Sequence, residues 1–524
     1  MRKWWPLAAV SLGVFMLLVD VTIVIVALPG IGADLGTSLS DLQWVMDGYA
    51  LTLAALLLGA GSLADKSGRR RVYTGGLALF AAASLVCGLA GDPAVLVAAR
   101  AVQGVGAAAM LATAMALLNV TYQGKDRGIA FGVWGAVSGA AAAVGPVLGG
   151  LLTEYLGWRW IFLVNLPVSA AAIALSLKVL PESRNPRAGR TDWAGMASFT
   201  VAVGSVVYVL IRGGSQGWTS GTSLGFAALA VVALAAFLLA EARGSHPMLD
   251  LSLFRRAPFV GVMLCGLLFS AVAFAYLPYT SLWVQSVLGL SPVSGGLVVL
   301  PMSAVAFVVS AAAGKRLPKV PAWLALGGGL ALIAAGSLLQ ARLDADAGWT
   351  VLVPGLVLTG LGVGVVSPVL AATAMAAVPP ERGGMASGAM NTFRQLGQAL
   401  GIAVFGVVLQ QGLTRALDSA GGADALGDSA ATALGSGQAH EVIAQAPAGQ
   451  LDSVVHLVRQ TFAEALDDVM LASGITGLAG AVLVALLIRT AAPAPARPAG
   501  SPAPAAEGSG VNGDAAAPLQ TAGR

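Results

Sequence analysis

The sequence contains little charge, little cysteine and little histidine. Only 10% of its 524 residues are Asp, Glu, Lys or Arg, whereas soluble domains carry about 25%. The two cysteines, Cys87 and Cys265, lie within apolar stretches, so neither a disulfide framework nor a metal centre is indicated. The histidines lie outside the apolar stretches, which leaves no convergent polar cluster for a membrane-embedded enzyme. We therefore expect no catalytic residue, no metal and no cofactor.

Long apolar runs dominate what is present. Hydrophobic residues make up 57% of the chain, and a window of about 19 residues separates fourteen segments long enough to cross the roughly 30 Å core of a bilayer. The expected fold class is therefore an all-α integral membrane protein that lies in a lipid bilayer. The net charge of +4 would suggest a nucleic-acid partner in a soluble chain. Here the basic residues flank apolar segments, so no nucleic acid is expected.

The distribution of Lys and Arg predicts the orientation of the chain. An even number of crossings places both termini on one side, and nearly all basic residues of the loops fall on that side. The exceptions are Arg159, Arg212, Arg342, Arg415 and Arg459. Because positive residues favour the cytoplasmic side of a membrane, we expect both termini in the cytoplasm and the protein in the cell membrane.

One acidic residue lies inside the first apolar run, from Leu7 to Pro29. Asp20 is the only ionisable side chain of that run. A carboxylate at such depth is costly, so residues of this kind mark sites that pair, titrate or bind a ligand. Burial favours the neutral form of an acid, which makes Asp20 a candidate for proton exchange. The alternative is a structural acid that neighbouring helices satisfy, for example through Thr22.

A glycine-rich basic loop follows the second apolar segment. Gly61, Asp65, Gly68 and Arg69 occupy positions of the cytoplasmic loop signature of the major facilitator superfamily, which residues 61–71 resemble. The resemblance implies two helical bundles that give alternating access to a central site, with this loop as a latch between them. A degenerate counterpart without the acid stands at residues 314–317. The alternative, a loop that only sets topology, leaves Asp65 and the paired glycines unexplained.

The fourth segment carries a second ionisable residue inside an apolar run. Residues 96–108, with Arg100 among them, resemble the fourth-helix signature of the superfamily, in which this arginine is linked to proton transfer. Because a guanidinium does not lose its charge, it needs a partner or a water-filled cavity within a span. A structural tie to backbone carbonyls or to a polar loop is the alternative.

The fifth segment contains Gly145, Pro146, Gly149 and Gly150. This resembles the motif that separates exporters from importers in the superfamily, although position 141 is Ala where the family often has glycine. Proline removes a helical hydrogen bond and glycine permits close helix packing. A bend combined with close packing predicts a gate, and glycine-rich packing without a role in transport direction is the alternative.

Three further stretches narrow the resemblance to the fourteen-helix drug:proton antiporters: residues 20–29, 158–167 and 380–401. The family implies two six-helix bundles, residues 1–187 and 257–490, with two inserted helices and their linkers at 188–256. We expect a long external loop at 411–468 and a disordered cytoplasmic tail at 491–524, which is rich in Pro, Ala and Gly. Residues 451–468 are expected either to lie on the outer surface as an amphipathic helix or to extend the last span.

The resemblance implies a monomeric antiporter, driven by the proton gradient, that exports amphipathic drugs, antibiotics or related metabolites. Asp47 is a second acid for proton coupling, or a solvated residue at the membrane interface. Candidate substrate-binding residues are Trp134, Tyr276, Tyr279, Gln285 and Asn391, each of which packing would also explain. A dedicated exporter of one metabolite, an uptake symporter and a non-transporting sensor are the alternative functions.

Overall fold

The computed structural model describes residues 2–184, 192–244, 249–316, 320–378, 383–419, 430–444 and 450–489. These residues form helices and short connections, with no β-strand among them. Several predictions fall outside the described part of the chain. They concern the tail at 491–524, residues 188–191 of the linker, residues 380–382 of the stretch that resembles the family's thirteenth helix, and the side chains of the counterpart loop at 314–317.

The first half of the chain contains seven helices among the described residues. They are α1 (Trp5–Leu35), α2 (Leu39–Ser67), α3 (Arg69–Leu89), α4 (Pro93–Thr121), α5 (Gly124–Leu156), α6 (Trp160–Leu163) and α7 (Asn165–Val179). Two more helices, α8 (Trp193–Gln216) and α9 (Gly221–Arg243), follow before the second half. α6 and α7 together cover one predicted crossing.

The second half begins with α10 (Ala257–Phe274), which α11 (Leu277–Leu282) and a π-helical segment (Trp283–Val287) continue. The remaining helices of its described residues are α12 (Pro292–Arg316), α13 (Ala322–Gln340), α14 (Leu352–Ala376), α15 (Gly383–Ser419), α16 (Ala430–Gly435), α17 (Ala439–Ala444) and α18 (Leu451–Arg489). Short 3₁₀ helices lie at Arg2–Trp4, Leu251–Arg255 and Trp349–Val351.

Most of these helices have the length and composition of membrane spans. Among the described residues, 12 helices are long and apolar enough to cross a membrane, and the bent pair Leu39–Leu57 and Gly59–Ser67 raises the number to 13. α5 is also long, with 33 residues, but some of its side chains lie outside the described part. The arrangement is consistent with the fourteen predicted crossings, and the protein is an all-α, multi-pass membrane protein.

Local sequence explains where α1 ends and α2 begins. Gly36 terminates α1 with a φ of 58°, a left-handed conformation that glycine adopts without strain. Ser38 caps α2, since its Oγ accepts a hydrogen bond from the backbone N–H of Asp41 at 3.2 Å. The Asp41 carboxylate accepts one from the backbone N–H of Ser38, also at 3.2 Å. This capping box fixes the sharp reversal between the two helices.

The helices pack as two groups that meet along two seams. In the first half α2 and α3 pack on α4, and α1 packs on α5, while α13 packs on α14 and α18 in the second half. The seams join α5 to α12 and α2 to α15. α8 and α9 pack on each other, and α8 contacts both α2 and α15. We call the end of the bundle where α1 begins the N side and the end where α1 finishes the far side.

The region predicted as a long loop is largely helical where the structure describes it. α15 extends to Ser419 and α18 begins at Leu451, so residues 451–468 extend the last span and do not form a separate surface helix. Between them, α16 and α17 bury Ala430, Leu434 and Ala439. The expectation of a mobile loop is therefore wrong for residues 411–419 and for α16 and α17, which are helical, whereas the extension of the last span was one of the two expectations for residues 451–468.

Candidate functional site

Asp20 forms a buried ion pair with Arg100. Arg100 Nη1 lies 2.7 Å from Asp20 Oδ2, and the side chains are 2% and 0% exposed. The pair joins α1 to α4 within the first half of the chain. Sequence reasoning treated these two residues as separate candidates, and the fold brings them together. A buried ion pair of this kind is stable only when additional hydrogen bonds satisfy the remaining polar atoms.

Three uncharged residues supply those hydrogen bonds. Gln103 Nε2 donates to Asp20 Oδ1 at 2.9 Å, and Asn165 Nδ2 donates to the same oxygen at 2.8 Å. Ser84 Oγ accepts from Gln103 at 2.9 Å and from Asn165 at 3.3 Å. Gln103 of α4 and Asn165 of α7 therefore hold the carboxylate directly, and Ser84 of α3 holds these two amides. We call Asp20, Arg100, Gln103, Asn165 and Ser84 the charge network.

The remaining parts of the Arg100 side chain also form hydrogen bonds and ring contacts. Arg100 Nε donates to the carbonyl of Val45 at 3.0 Å, and Nη1 donates to Gln103 Oε1 at 2.6 Å. The guanidinium carbon lies 4.3 Å from the ring centroid of Tyr49 and 5.7 Å from that of Phe162. The predicted tie to a backbone carbonyl is therefore present together with the ion pair. Thr22, the partner considered for Asp20, donates instead to carbonyls of its own helix.

Sequence reasoning assigned no role to Gln103, Asn165 or Ser84. Gln103 and Asn165 belong to stretches that resemble family signatures, but no function was attached to them. The available signal was their polarity inside predicted spans, where a side chain that hydrogen-bonds must find a partner. Spacing along the chain does not reveal that two helices direct amides at one carboxylate and that a third helix supplies their common acceptor.

Asp47 occupies a different environment from Asp20. Its side chain is 0% exposed, and neither carboxylate oxygen accepts a hydrogen bond within the described part of the chain. The alternative of a solvated interfacial residue is therefore wrong. One turn earlier on α2, Gln43 Nε2 donates to Tyr279 Oη at 3.0 Å and to the carbonyl of Ile402 at 3.2 Å. Asp47 thus lies one turn from a polar contact between the two halves.

Residues 61–71, predicted as a loop, are helical except for Gly68, and they are held to the first half. Arg69 contacts Asp65 with Nη2 at 2.7 Å and Nε at 2.8 Å, both to Oδ1. Gly68 has a φ of 114°, which favours glycine, and the backbone N–H of the next residue donates to the carbonyl of Ser183 at 3.0 Å. Glu182 accepts from the backbone N–H of Arg70 at 3.1 Å. These contacts tie α2 and α3 to the segment after α7.

The motif of α5 lies at the seam between the halves. A Cβ added to Gly145 would lie 1.8 Å from Thr22 Oγ1, and one added to Gly150 would lie 2.6 Å from the carbonyl oxygen of Pro292. Gly149 faces α1, where an added Cβ would lie 2.8 Å from the carbonyl oxygen of Ile23. The carbonyl oxygen of Pro146 lies 2.3 Å from the position of a Cβ on Gly296 of α12. Side chains larger than hydrogen would separate these helices.

The predicted substrate-binding residues are dispersed. Tyr279 contacts Gln43, and Gln285 Nε2 donates to the carbonyl of Val26 at 2.9 Å, so both cross between the halves. Tyr276 accepts a hydrogen bond from Gln340 at 3.3 Å within the second half. Asn391 donates to the carbonyl of Ser387 on its own helix at 3.0 Å. Trp134 packs against the apolar core of the first half.

A small apolar cavity lies between the halves, and none of the five predicted substrate-binding residues lines it. Its volume is about 50 Å³, whereas pockets that hold drug-sized ligands measure about 300–1,000 Å³. The walls come from α1, α5, α10, α11, α12 and α14, and include Thr22, Val26, Pro146, Phe274, Met302 and Ser303. We call this the central cavity. Thr22 is two residues from Asp20, so one helix links the cavity to the charge network.

The far side of the bundle is covered by residues 430–444, which we call the cap. A Cβ on Gly32 would lie 2.7 Å from the carbonyl oxygen of Ser436, and one on Gly437 would lie 3.1 Å from Ser286 Oγ. Gly435 approaches Leu39 of α2 and Leu413 of α15, at 3.4 and 3.5 Å from an added Cβ. The cap therefore contacts both halves.

A chain that buries an arginine–aspartate pair inside a bundle of membrane spans, with a cavity between two halves, has the features of a membrane transporter. Residues 10–402 match the family model of the Major Facilitator Superfamily. The chain belongs to this superfamily, and it is a transporter and not an enzyme.

Named relatives specify the kind of transporter it resembles. It is 40% identical over 415 residues to the multidrug resistance protein Stp of Mycobacterium tuberculosis, covering 79% of this chain and 77% of the relative. It is 36% identical over 412 residues to the tetracenomycin C resistance and export protein of Streptomyces glaucescens, covering 78% and 76%.

A solved structure shares the fold. It is the crystal structure of a bacterial homologue of the human lysosomal transporter Spinster, in an inward-facing and unoccupied conformation. The TM-score is 0.64 at 17% identity, and the match covers 94% of this chain and 99% of that one. The likeness shows the major facilitator fold.

Proposed function

We propose that the protein exports amphipathic organic compounds across the cell membrane in exchange for protons. The observation that supports this proposal is the buried ion pair between Asp20 and Arg100. Asp20 lies two residues along α1 from Thr22, which lines the central cavity. The names of the relatives, which concern multidrug resistance and tetracenomycin C export, support an exported drug or antibiotic as the substrate.

The charge network supports proton coupling at Asp20. Protonation of the carboxyl would remove the charge that balances Arg100 and leave a guanidinium in a dry site, which is strongly unfavourable. Arg100 and the amides of Gln103 and Asn165 would then have to find other acceptors, so α1, α3, α4 and α7 would shift together. Because Thr22 lies on the same helix, such a shift reaches the central cavity. Asp47, without any hydrogen-bond partner among the described residues, is proposed as a second proton-binding group.

Alternating access accounts for the closed cavity. At about 50 Å³ it is too small for an organic cation or an antibiotic, so the substrate enters only when the halves separate. The α5–α12 seam, with Gly145, Pro146, Gly149 and Gly150, is proposed as the gate, and Gly61, Asp65, Gly68 and Arg69 as the latch on the cytoplasmic side. The Lys and Arg distribution supports a cytoplasmic location for both termini.

The driving force is sufficient for export. One elementary charge that crosses a membrane potential of about 100 mV gains roughly 2.3 kcal/mol, which supports roughly a fifty-fold concentration ratio of a neutral substrate. The apolar walls of the central cavity, with Thr22 and Ser303 as its hydroxyl groups, suit an amphipathic molecule.

Transport in inside-out vesicles tests the proposal. A pH gradient is imposed with the membrane potential clamped at zero, and accumulation of tetramethylrhodamine methyl ester is compared between wild type and Asp20→Asn at matched abundance. We expect accumulation by wild type that collapses when the gradient is dissipated, and none by the variant. Equal accumulation by both proteins would remove Asp20 from the mechanism. Accumulation that requires the opposite gradient would indicate uptake by symport, and no movement of dye would favour a narrow exporter or a sensor.

A further inference from the structure

Arg394 is an intramembrane arginine that the mechanism above does not use. It lies in α15 (Gly383–Ser419), eleven residues from the start of the helix, which places it about 16 Å along the helix axis. Its neighbours in sequence belong to a span that is apolar enough to cross a membrane. A permanently charged group at such depth requires a partner or a water-filled cavity.

The described part of the chain provides no acceptor for this guanidinium. Its Nε is buried without a hydrogen bond, and no hydrogen bond or ion pair to Arg394 occurs among the described residues. The arginine rests on an aromatic face instead, with its guanidinium carbon 5.3 Å from the ring centroid of Phe269. Gly266 leaves room beside it, since an added Cβ would lie 3.4 Å from Arg394 Cγ. The side chain is half-buried, so part of it faces open space.

No acid among the described residues of the second half forms an ion pair with Arg394. The described acidic residues from α10 onward lie near helix ends, in the far-side connections or in the first half of α18: Asp344, Asp346, Asp418, Glu441, Asp452, Glu464, Asp467 and Asp468. Within the spans, Asp20 is committed to Arg100. Asp47 lies on α2 between Gln43, which contacts Ile402, and Ala54, which contacts Thr392. Neither of its carboxylate oxygens has a hydrogen-bond partner among the described residues, so it does not pair with Arg394. Within the described part of the chain, the positive charge of Arg394 is therefore unmatched.

An aromatic path connects this charge to the central cavity. Phe269 packs edge-on against Phe274, with ring centroids 5.6 Å apart, and Phe274 lines the cavity. An extended molecule that placed an anionic group on Arg394 would therefore have its apolar part beside Phe274. A guanidinium binds carboxylates with two parallel hydrogen bonds, and these charge-assisted bonds are about twice as strong as neutral ones.

We propose that Arg394 is the subsite for an anionic oxygen group, a carboxylate or an acidic phenol, of the transported amphipathic molecule. This inference rests on the proposed export function and narrows its substrate class. The ligand supplies the counter-charge that the second half lacks, and its apolar body lies along Phe274 at the central cavity. The guanidinium of Arg394 is already poorly hydrated, so binding an anion costs little further desolvation free energy. Most of the favourable interaction therefore contributes to binding of the anion.

Equilibrium binding to the purified full-length protein tests the subsite without any gradient. Tetramethylrhodamine with a free carboxylate and its methyl ester differ only in the anionic group, and their fluorescence anisotropy reports binding to wild type, Arg394→Gln and Arg394→Lys. Arg342→Gln, at an exposed position, is the matched control for loss of one positive charge. We expect wild type and the control to bind the acid about tenfold more tightly than the ester. Arg394→Gln is expected to lose this preference without weaker binding of the ester, and Arg394→Lys to retain part of it.

Several outcomes would overturn the proposal. One is that wild type does not bind the acid more tightly than the ester. Another is that Arg394→Gln keeps the full preference for the acid, and a third is that Arg342→Gln loses this preference to the same extent. If Arg394→Gln alters only the binding of phosphatidylglycerol, the arginine is a lipid site. Should that variant not fold, competition in wild type decides, since 2-naphthoate is expected to displace the acid at a lower concentration than its own methyl ester does. Loss of gradient-driven flux with intact acid preference would refute antiport alone, whereas flux without any acid preference would refute the anionic subsite alone.

Discussion

Arg100 Nη1 lies 2.7 Å from Asp20 Oδ2, and the two side chains are 2% and 0% exposed. Each residue is the other's only ion-pair partner within the described part of the chain. The charge state of Asp20 therefore determines whether Arg100 is balanced or isolated. α4 and α7 direct amide groups at Asp20, and Ser84 of α3 accepts a hydrogen bond from each of these amides. A change of one proton at Asp20 therefore acts on four helices at once.

Asp20→Asn is expected to destabilise the protein as well as to stop proton-driven export. The substitution leaves the buried guanidinium unbalanced, which costs about 3–5 kcal/mol in buried pairs. Unfolding of the purified protein in detergent measures the loss of stability, and the vesicle assay measures transport. Arg100→Gln combined with Asp20→Asn should recover most of the stability, because both charges are gone, and should remain inactive. Recovery of transport in the double variant would contradict the role of the charge network.

Asp47→Asn is expected to increase stability and to lower transport only in part. Both carboxylate oxygens of Asp47 are buried without a hydrogen-bond partner in the described part of the chain, and an amide avoids the cost of burying a charge. We expect a gain of about 1 kcal/mol in the free energy of unfolding and a severalfold decrease in gradient-driven accumulation. Complete loss of accumulation would place the principal proton site at Asp47 and not at Asp20.

Gly150→Leu is expected to abolish transport by holding the α5–α12 seam apart. A Cβ at this position would already lie 2.6 Å from the carbonyl oxygen of Pro292, so a larger side chain forces the two halves to separate. The variant should still insert and fold within each half, and fluorescence or cysteine accessibility at the seam should report the separation. Gly204→Ala is the matched control, because nothing lies within 4 Å of the added Cβ. Normal transport by Gly150→Leu would exclude this seam as the gate.

Cross-links at the cap are expected to show which of the two halves the cap moves with. The cap follows α15 and precedes α18 along the chain, so it should move with the second half. A disulfide between cysteines at Gly435 and Leu39 ties it to α2 and should block transport until a reductant is added. The native cysteines are buried and free, which keeps the background low.

The control cross-link joins the cap to its own half. Cysteines at Gly435 and Leu413 tie it to α15, and an added Cβ on Gly435 lies at a similar distance from both leucines, 3.4 and 3.5 Å. This disulfide should leave transport largely intact. Equal inhibition by both cross-links would show that the cap moves independently of the second half, and absence of inhibition by either would show that the far side need not open there.

The spans were predictable because each apolar segment carries its own signal. A helix that satisfies its backbone hydrogen bonds internally is the ordinary way for a long apolar run to cross a bilayer, so length and hydropathy suffice. The break near Val164 and the π-helical segment Trp283–Val287 were not predictable in this way. They depend on contacts with neighbouring helices, which the local sequence does not specify.

The loop prediction at 411–468 failed for a related reason. The Ala, Gly, Ser and Asp content of this region is typical of mobile segments, yet Leu434 and Ala439 are fully buried. Small residues permit close approach to α1 and α15, and that packing stabilises short helices which would be marginal alone. The composition of this region shows that it lacks a strong apolar pattern. It does not show which surface of the protein the cap packs against.

From the sequence alone one can derive the membrane class, the two-half architecture through its resemblance to a family, and the identity of the costly charged residues Asp20 and Arg100, whereas the burial of Asp47 came from the structure. Those inferences follow from the price of charge in a bilayer, which is a local property of each span. Which charges meet was decided by tertiary structure. It paired Asp20 with Arg100 and directed Gln103 and Asn165 to one carboxylate. It left the carboxylate of Asp47 and the Nε of Arg394 without hydrogen-bond partners in the described chain. The reason is that hydrogen bonds and ion pairs depend on ångström-scale positions of helices that are far apart in sequence.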